Sequence, residues 1–76
     1  MSPVVTVYSL PNCVQCNATT RYLEKKNIPF QVEDARENYD KIESWGYSQA
    51  PVVQMVEHPD QHWSGFNPDR LKTLAI

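Results

Sequence analysis

Two cysteines, Cys13 and Cys16, stand where an apolar run gives way to a helical pattern, with only Val14 and Gln15 between them. This C-x-x-C pair constrains the fold more than any other feature. A disulfide over so short a loop restricts the unfolded chain little, so the pair is a poor staple. A chain of 76 residues buries only about 60% of its unfolded surface and often needs one. The spacing therefore requires a chemical reason. Within one helical turn both sulfurs come within bonding reach, as a reversible two-electron couple requires.

Helix position separates the two thiols. A thiol is nucleophilic only as thiolate, and a free cysteine, with a pKa of about 8.5, is mostly protonated at neutral pH. Unpaired N–H groups and the helix dipole favour the anion at a helix entrance, where Cys13 lies. Cys16 is one turn further in, on the inner face, and more shielded. Cys13 is thus expected to attack a partner's disulfide, and Cys16 to resolve the mixed disulfide.

Other readings of the pair are weaker. C-x-x-C is also half of a zinc site, and His58 and His62 have a permitted spacing. However, 41 residues separate Cys16 from His58, against about a dozen in a zinc finger. Pro59 also opposes a helix carrying both histidines, which are expected to face solvent on a hairpin. Free cysteines are often inert core residues, but two at a strand-to-helix junction strain that reading. No metal or bound cofactor is expected.

The formal net charge of −2 argues against nucleic acid or an anionic membrane as partner. No apolar run approaches the ~20 residues that span a bilayer. Met1-Ser2-Pro3 shows no secretion signal. Cytoplasmic location is expected, where a disulfide is usually transient and catalytic.

One domain over residues 1–76 is expected. Val4 to Tyr8 is apolar enough for a strand covered on both faces. Pro11 and Asn12 form a turn, with Asn12 as N-cap of a helix from Val14 to Lys26. Cys16, Thr20, Leu23 and Thr19 form its inner face, and Asn27 closes it in the left-handed region. Phe30 to Val32 is a second strand, parallel to the first. Tyr39, Ile42 and Trp45 recur every three residues, so a short helix ends at Gly46 with Tyr39 and Trp45 anchored in the core. Pro51 opens a strand from Val52 to Val56, which pairs as a hairpin with Gln61 to Ser64. Asn67 caps a last helix that begins at Pro68 and carries Leu71 and Leu74 on one face. Tyr8 and Trp63 are expected inside. Val14 is expected outside, and Phe66 either way; with Pro51 they would form an exposed apolar patch around the sulfurs.

This order, β-α-β-α-β-β-α, is an α/β fold with a four-stranded mixed sheet and three helices. With C-x-x-C after the first strand and Ala50-Pro51-Val52-Val53 before the third, it resembles a minimal thioredoxin fold. Three motifs narrow the resemblance to the NrdH-redoxins. They are Cys13-Val14-Gln15-Cys16-Asn17-Ala18-Thr19, Gly46-Tyr47-x-Gln49-Ala50-Pro51-Val52-Val53 and His62-Trp63-Ser64-Gly65-Phe66-x-Pro68-Asp69.

The resemblance implies a dithiol carrier that takes electrons from NADPH through thioredoxin reductase. It passes them to the large subunit of a class Ib ribonucleotide reductase. It implies a cis Pro51, and partner contacts at Val14, Gln15, Ala50, Pro51, Ser64, Gly65 and Phe66. A monomer is expected. The alternative is a glutathione-dependent dithiol glutaredoxin; a module holding an iron–sulfur cluster through Cys13 is a third reading. Against glutathione, the family's Gly-Gly and acidic residue are replaced here by Ser64-Gly65-Phe66-Asn67. Leu10 and Asn67 stand where basic residues are usual.

Overall fold

The computed structural model describes residues 2–74; Met1, Ala75 and the terminal Ile76 lie outside the described residues. The chain runs β1 (Val5–Ser9), α1 (Val14–Lys25), β2 (Phe30–Asp34), a 3-10 turn (Ala35–Asn38), α2 (Tyr39–Ser44), β3 (Val52–Met55), β4 (His62–Ser64) and α3 (Pro68–Lys72). The strands form one mixed sheet in the order β2-β1-β3-β4. β1 pairs parallel with β2, Val5 opposite Phe30, and antiparallel with β3, Tyr8 opposite Val52. β3 and β4 form the antiparallel hairpin. This is the minimal thioredoxin arrangement, with three helices among the described residues.

Successive side chains of a strand point to opposite faces, so the central strands bury two separate sets. Val5, Val7 and Val53 join Trp63, Leu23 of α1 and Leu71 of α3 on one face. Tyr8 and Val52 join Ala35 and Ile42 of α2 on the other. Both faces are covered, which is why β1 reads as an unbroken apolar run.

Several details depart from the expected ones. β2 continues to Asp34, but Gln31, Val32 and Glu33 are exposed because it is an edge strand. α1 stops at Lys25, with Lys26 as its C-cap, and Asn27 takes the left-handed φ of 57°. The N-cap is Cys13, not Asn12; Asn12 instead has a φ of 58°. Of the two threonines expected on the inner face, Thr19 is fully buried, its hydroxyl donating to the Gln15 carbonyl at 2.9 Å, and Thr20 is not. Thr20 donates to the Asn17 carbonyl near the surface.

Tyr39 is 63% exposed rather than in the core. The 3-10 turn shifts the buried register: Ala35 takes the inner place, and Tyr39 becomes the outward first residue of α2. β3 ends at Met55 and β4 begins at His62, each one residue shorter than expected. His62 is not a free hairpin residue. It stacks on the half-buried Trp45 with ring centres 4.2 Å apart, and its Nδ1 lies 2.8 Å from the Tyr47 hydroxyl. Tyr47 also bonds the His62 carbonyl oxygen at 3.1 Å. His58 is exposed.

Candidate redox site

β1 ends at Ser9, and the chain must reverse into α1 within four residues. Pro11 and Asn12 make that turn, Asn12 in the left-handed region that asparagine tolerates best after glycine. The turn delivers Cys13 in extended conformation at the N-cap. A cap side chain normally offers oxygen to an unpaired N–H of the first turn. Here sulfur does so: Cys13 Sγ accepts from the Cys16 N–H at 3.1 Å.

The two cysteines are joined as a disulfide, with Cα atoms 5.2 Å apart. Their environments differ. Cys16 is 2% exposed on the inner face of α1, whereas Cys13 is half-buried at the surface. Any negative charge on Cys13 Sγ would be met by the Cys16 N–H and by the positive end of the helix dipole.

Three chain segments meet at this sulfur. The Ala50–Pro51 peptide is cis, and the Ala50 carbonyl oxygen lies 3.9 Å from Cys13 Sγ. Pro51 is fully buried, so it is not part of an exposed patch; Leu10, 37% exposed, stands in the apolar rim instead. The third segment, Ser64 to Phe66, is tied to the other two. Ser64 Oγ donates to the Gln49 carbonyl at 2.9 Å, and the Gly65 N–H donates to the Pro51 carbonyl at 2.7 Å. The Phe66 N–H donates to Gln15 Oε1 at 3.2 Å. Gly65 has a φ of +83°, which lets the chain turn there, and a Cβ would lie 3.4 Å from Gln15 Oε1.

Of the residues expected to face a partner, Val14, Gln15 and Ala50 line a hollow beside Cys13, Ser64, Gly65 and Phe66 are joined to these walls by hydrogen bonds, and Pro51 lies buried behind them. Val14 is 82% exposed and Phe66 is 39% exposed, its ring edge-on to Tyr22. A shallow hollow beside Cys13 is bounded by Leu10, Val14, Gln15 and residues 48–50. Leu10 also walls a second, apolar hollow of about 240 Å³ lined by Ala35, Tyr39, Ile42, Tyr47 and Val52. Sequence reasoning missed the Gln15–Phe66 bond, which joins residues 51 apart. It also missed the Trp45–His62–Tyr47 cluster, although all three are aromatic or amphipathic residues near chain turns.

The glutaredoxin family model matches residues 5–57. Over 73 residues the chain is 37% identical to the glutaredoxin-like protein NrdH of Salmonella typhimurium, covering 92% of this chain and 86% of that one. The chain belongs to the NrdH-type glutaredoxin-like proteins. A second NrdH-type relative, from Lactococcus lactis, is 35% identical over 75 residues, covering 95% of this chain and all of its own. The solved structure of NrdH-redoxin from Escherichia coli, a glutaredoxin-like protein described as having a thioredoxin-like activity profile, superposes with a TM-score of 0.82. It is 34% identical, with 92% of each chain covered. As an NrdH-type redox protein, this chain carries Cys13–Cys16 as its cysteine pair, at the strand-to-helix junction that its sequence marked. No helix among the described residues is long and apolar enough to cross a membrane.

Proposed function

We propose that this NrdH-type protein is a dithiol–disulfide electron carrier. It takes electrons from NADPH through thioredoxin reductase and delivers them to a class Ib ribonucleotide reductase, as a cytoplasmic monomer. The observation that carries the reading is the asymmetry of the pair. Cys13 caps the helix at the surface, while Cys16 is buried behind it.

In the reduced protein, the Cys13 thiolate attacks one sulfur of the partner's disulfide. A Cys13–partner bond forms, and the partner's second sulfur leaves as thiolate. The Cys16 thiolate then attacks Cys13 Sγ, forming Cys13–Cys16 and releasing the partner's first sulfur. The partner has gained two electrons, and its thiolates take up protons as their pKa values demand. Reductase thiols reverse the sequence on the Cys13–Cys16 disulfide. The half-buried Ala50, its carbonyl oxygen 3.9 Å from Cys13 Sγ, suits an extended segment of the partner. Val14, Leu10 and Phe66 supply apolar contact around it.

The deciding assay compares two electron donors. One reaction holds NADPH and thioredoxin reductase; the other holds NADPH, glutathione and glutathione reductase. Turnover of a disulfide substrate is expected in the first. Turnover confined to the second would replace this reading with the glutathione-dependent one.

A further inference from the structure

Gln15 lies between the two cysteines, in the exposed first turn of α1. A polar residue there is free to meet a partner directly, yet its side-chain oxygen is turned onto the backbone of the chain itself. It accepts from the Phe66 N–H at 3.2 Å. The Ser64–Phe66 segment makes its two other hydrogen bonds to the far wall, Ser64 to the Gln49 carbonyl and Gly65 to the Pro51 carbonyl. Among the described residues, Gln15 supplies the hydrogen bond that ties this segment to the redox turn. Gly65 lies directly against the Gln15 side-chain oxygen, which a Cβ built there would meet at 3.4 Å.

We propose that Gln15 is a positioning residue: through the Phe66 N–H it fixes the Ser64–Phe66 segment against the C-x-x-C turn, at the spacing a protein disulfide meets. This rests on the carrier reading above. The role needs an acceptor at the end of a side chain of this length. Glutamate satisfies it and methionine, of similar length, does not. A small disulfide reaches Cys13 without spanning the two walls, whereas a protein disulfide must fit between them.

The test uses Gln15→Met and Gln15→Glu in the full chain, with dithiothreitol as reductant so that the physiological donor does not enter. Amide exchange at Phe66 is followed by NMR in the oxidised protein. KM and kcat are measured for insulin and for a small aromatic disulfide. Gln15→Met is expected to speed Phe66 exchange and to raise the KM for insulin about fivefold, the effect of losing one ordinary hydrogen bond. Its kcat falls less, and the ratio of insulin KM to small-disulfide KM rises. Gln15→Glu restores both the exchange protection and the ratio. Three results would overturn the proposal: a Phe66 amide as protected in Gln15→Met as in the parent, equal KM changes for both disulfides, or no rescue by Gln15→Glu. A parent protein inert towards insulin would overturn the carrier reading instead, and Phe66 exchange would still decide whether Gln15 holds the segment.

Discussion

At the scale of single residues, the site depends on placing two like atoms in unlike surroundings. Cys13 and Cys16 share one helical turn, but one sulfur caps the helix and the other faces the core. Their roles therefore should not exchange. Cys16→Ser is expected to accumulate a mixed disulfide with a partner, visible on non-reducing gels, because the attack proceeds and resolution does not. Cys13→Ser should trap little; trapping by that variant would reverse the assignment. Gly65 is a second residue with one acceptable identity. Its φ of +83° costs an L-residue about 1–2 kcal/mol, so Gly65→Ala should lower the unfolding free energy by about that much in chemical denaturation. Leu10, 37% exposed, puts apolar surface beside the redox turn. Here it walls both hollows beside the site.

At the scale of elements, α1 and α3 are held by capped N-termini as well as by their buried faces. α3 has five residues, too few to be stable alone. Its anchors are Leu71 in the core, Pro68 in its first turn, and Asn67, whose side chain accepts from the Arg70 N–H at 3.2 Å. Replacing a capping asparagine by alanine costs about 1 kcal/mol. Asn67→Ala should therefore lower the unfolding free energy by about that amount in chemical denaturation while the thiols still exchange. Arg70 packs its guanidinium 4.8 Å from the Trp63 ring centre, which further fixes α3 to β4. α1 is anchored differently, by Leu23 and Thr19 against the sheet and by the Cys13 cap at the site. The start of α1 cannot be altered without altering the chemistry.

Across the whole molecule, Leu10, Val14 and Phe66 put exposed apolar surface around the redox turn, and Val32, Tyr39 and Val56 expose more of it elsewhere. One charged pair lies at the end of β2, where Asp34 stands opposite Ser9, the last residue of β1. Both Asp34 oxygens accept from the Arg36 guanidinium, at 3.1 and 2.8 Å, and one also accepts the Arg36 N–H. The side-chain bonds, then the backbone bond, hold the Asp34 carboxyl below its usual range. A carboxyl lowered in the folded state stabilises above its unfolded pKa, about 3.9, and that contribution is lost as pH falls through the folded value. Asp34→Asn should therefore be slightly less stable than the parent at neutral pH, with the gap closing in acid and shrinking in salt because the pair is exposed. A gap that persists below the folded pKa would exclude the ionic cause. The element order, the parallel and antiparallel pairings, the buried β1 and the exposure difference between Cys13 and Cys16 were all legible in the sequence. They follow from periodicity, turn residues and distance from a helix start, which act over a few neighbours. Tyr39 outside, Thr20 near the surface, His62 stacked on Trp45 and Gln15 bonded to Phe66 were not legible. Each depends on how elements far apart in the chain meet, and local pattern carries no information on that meeting.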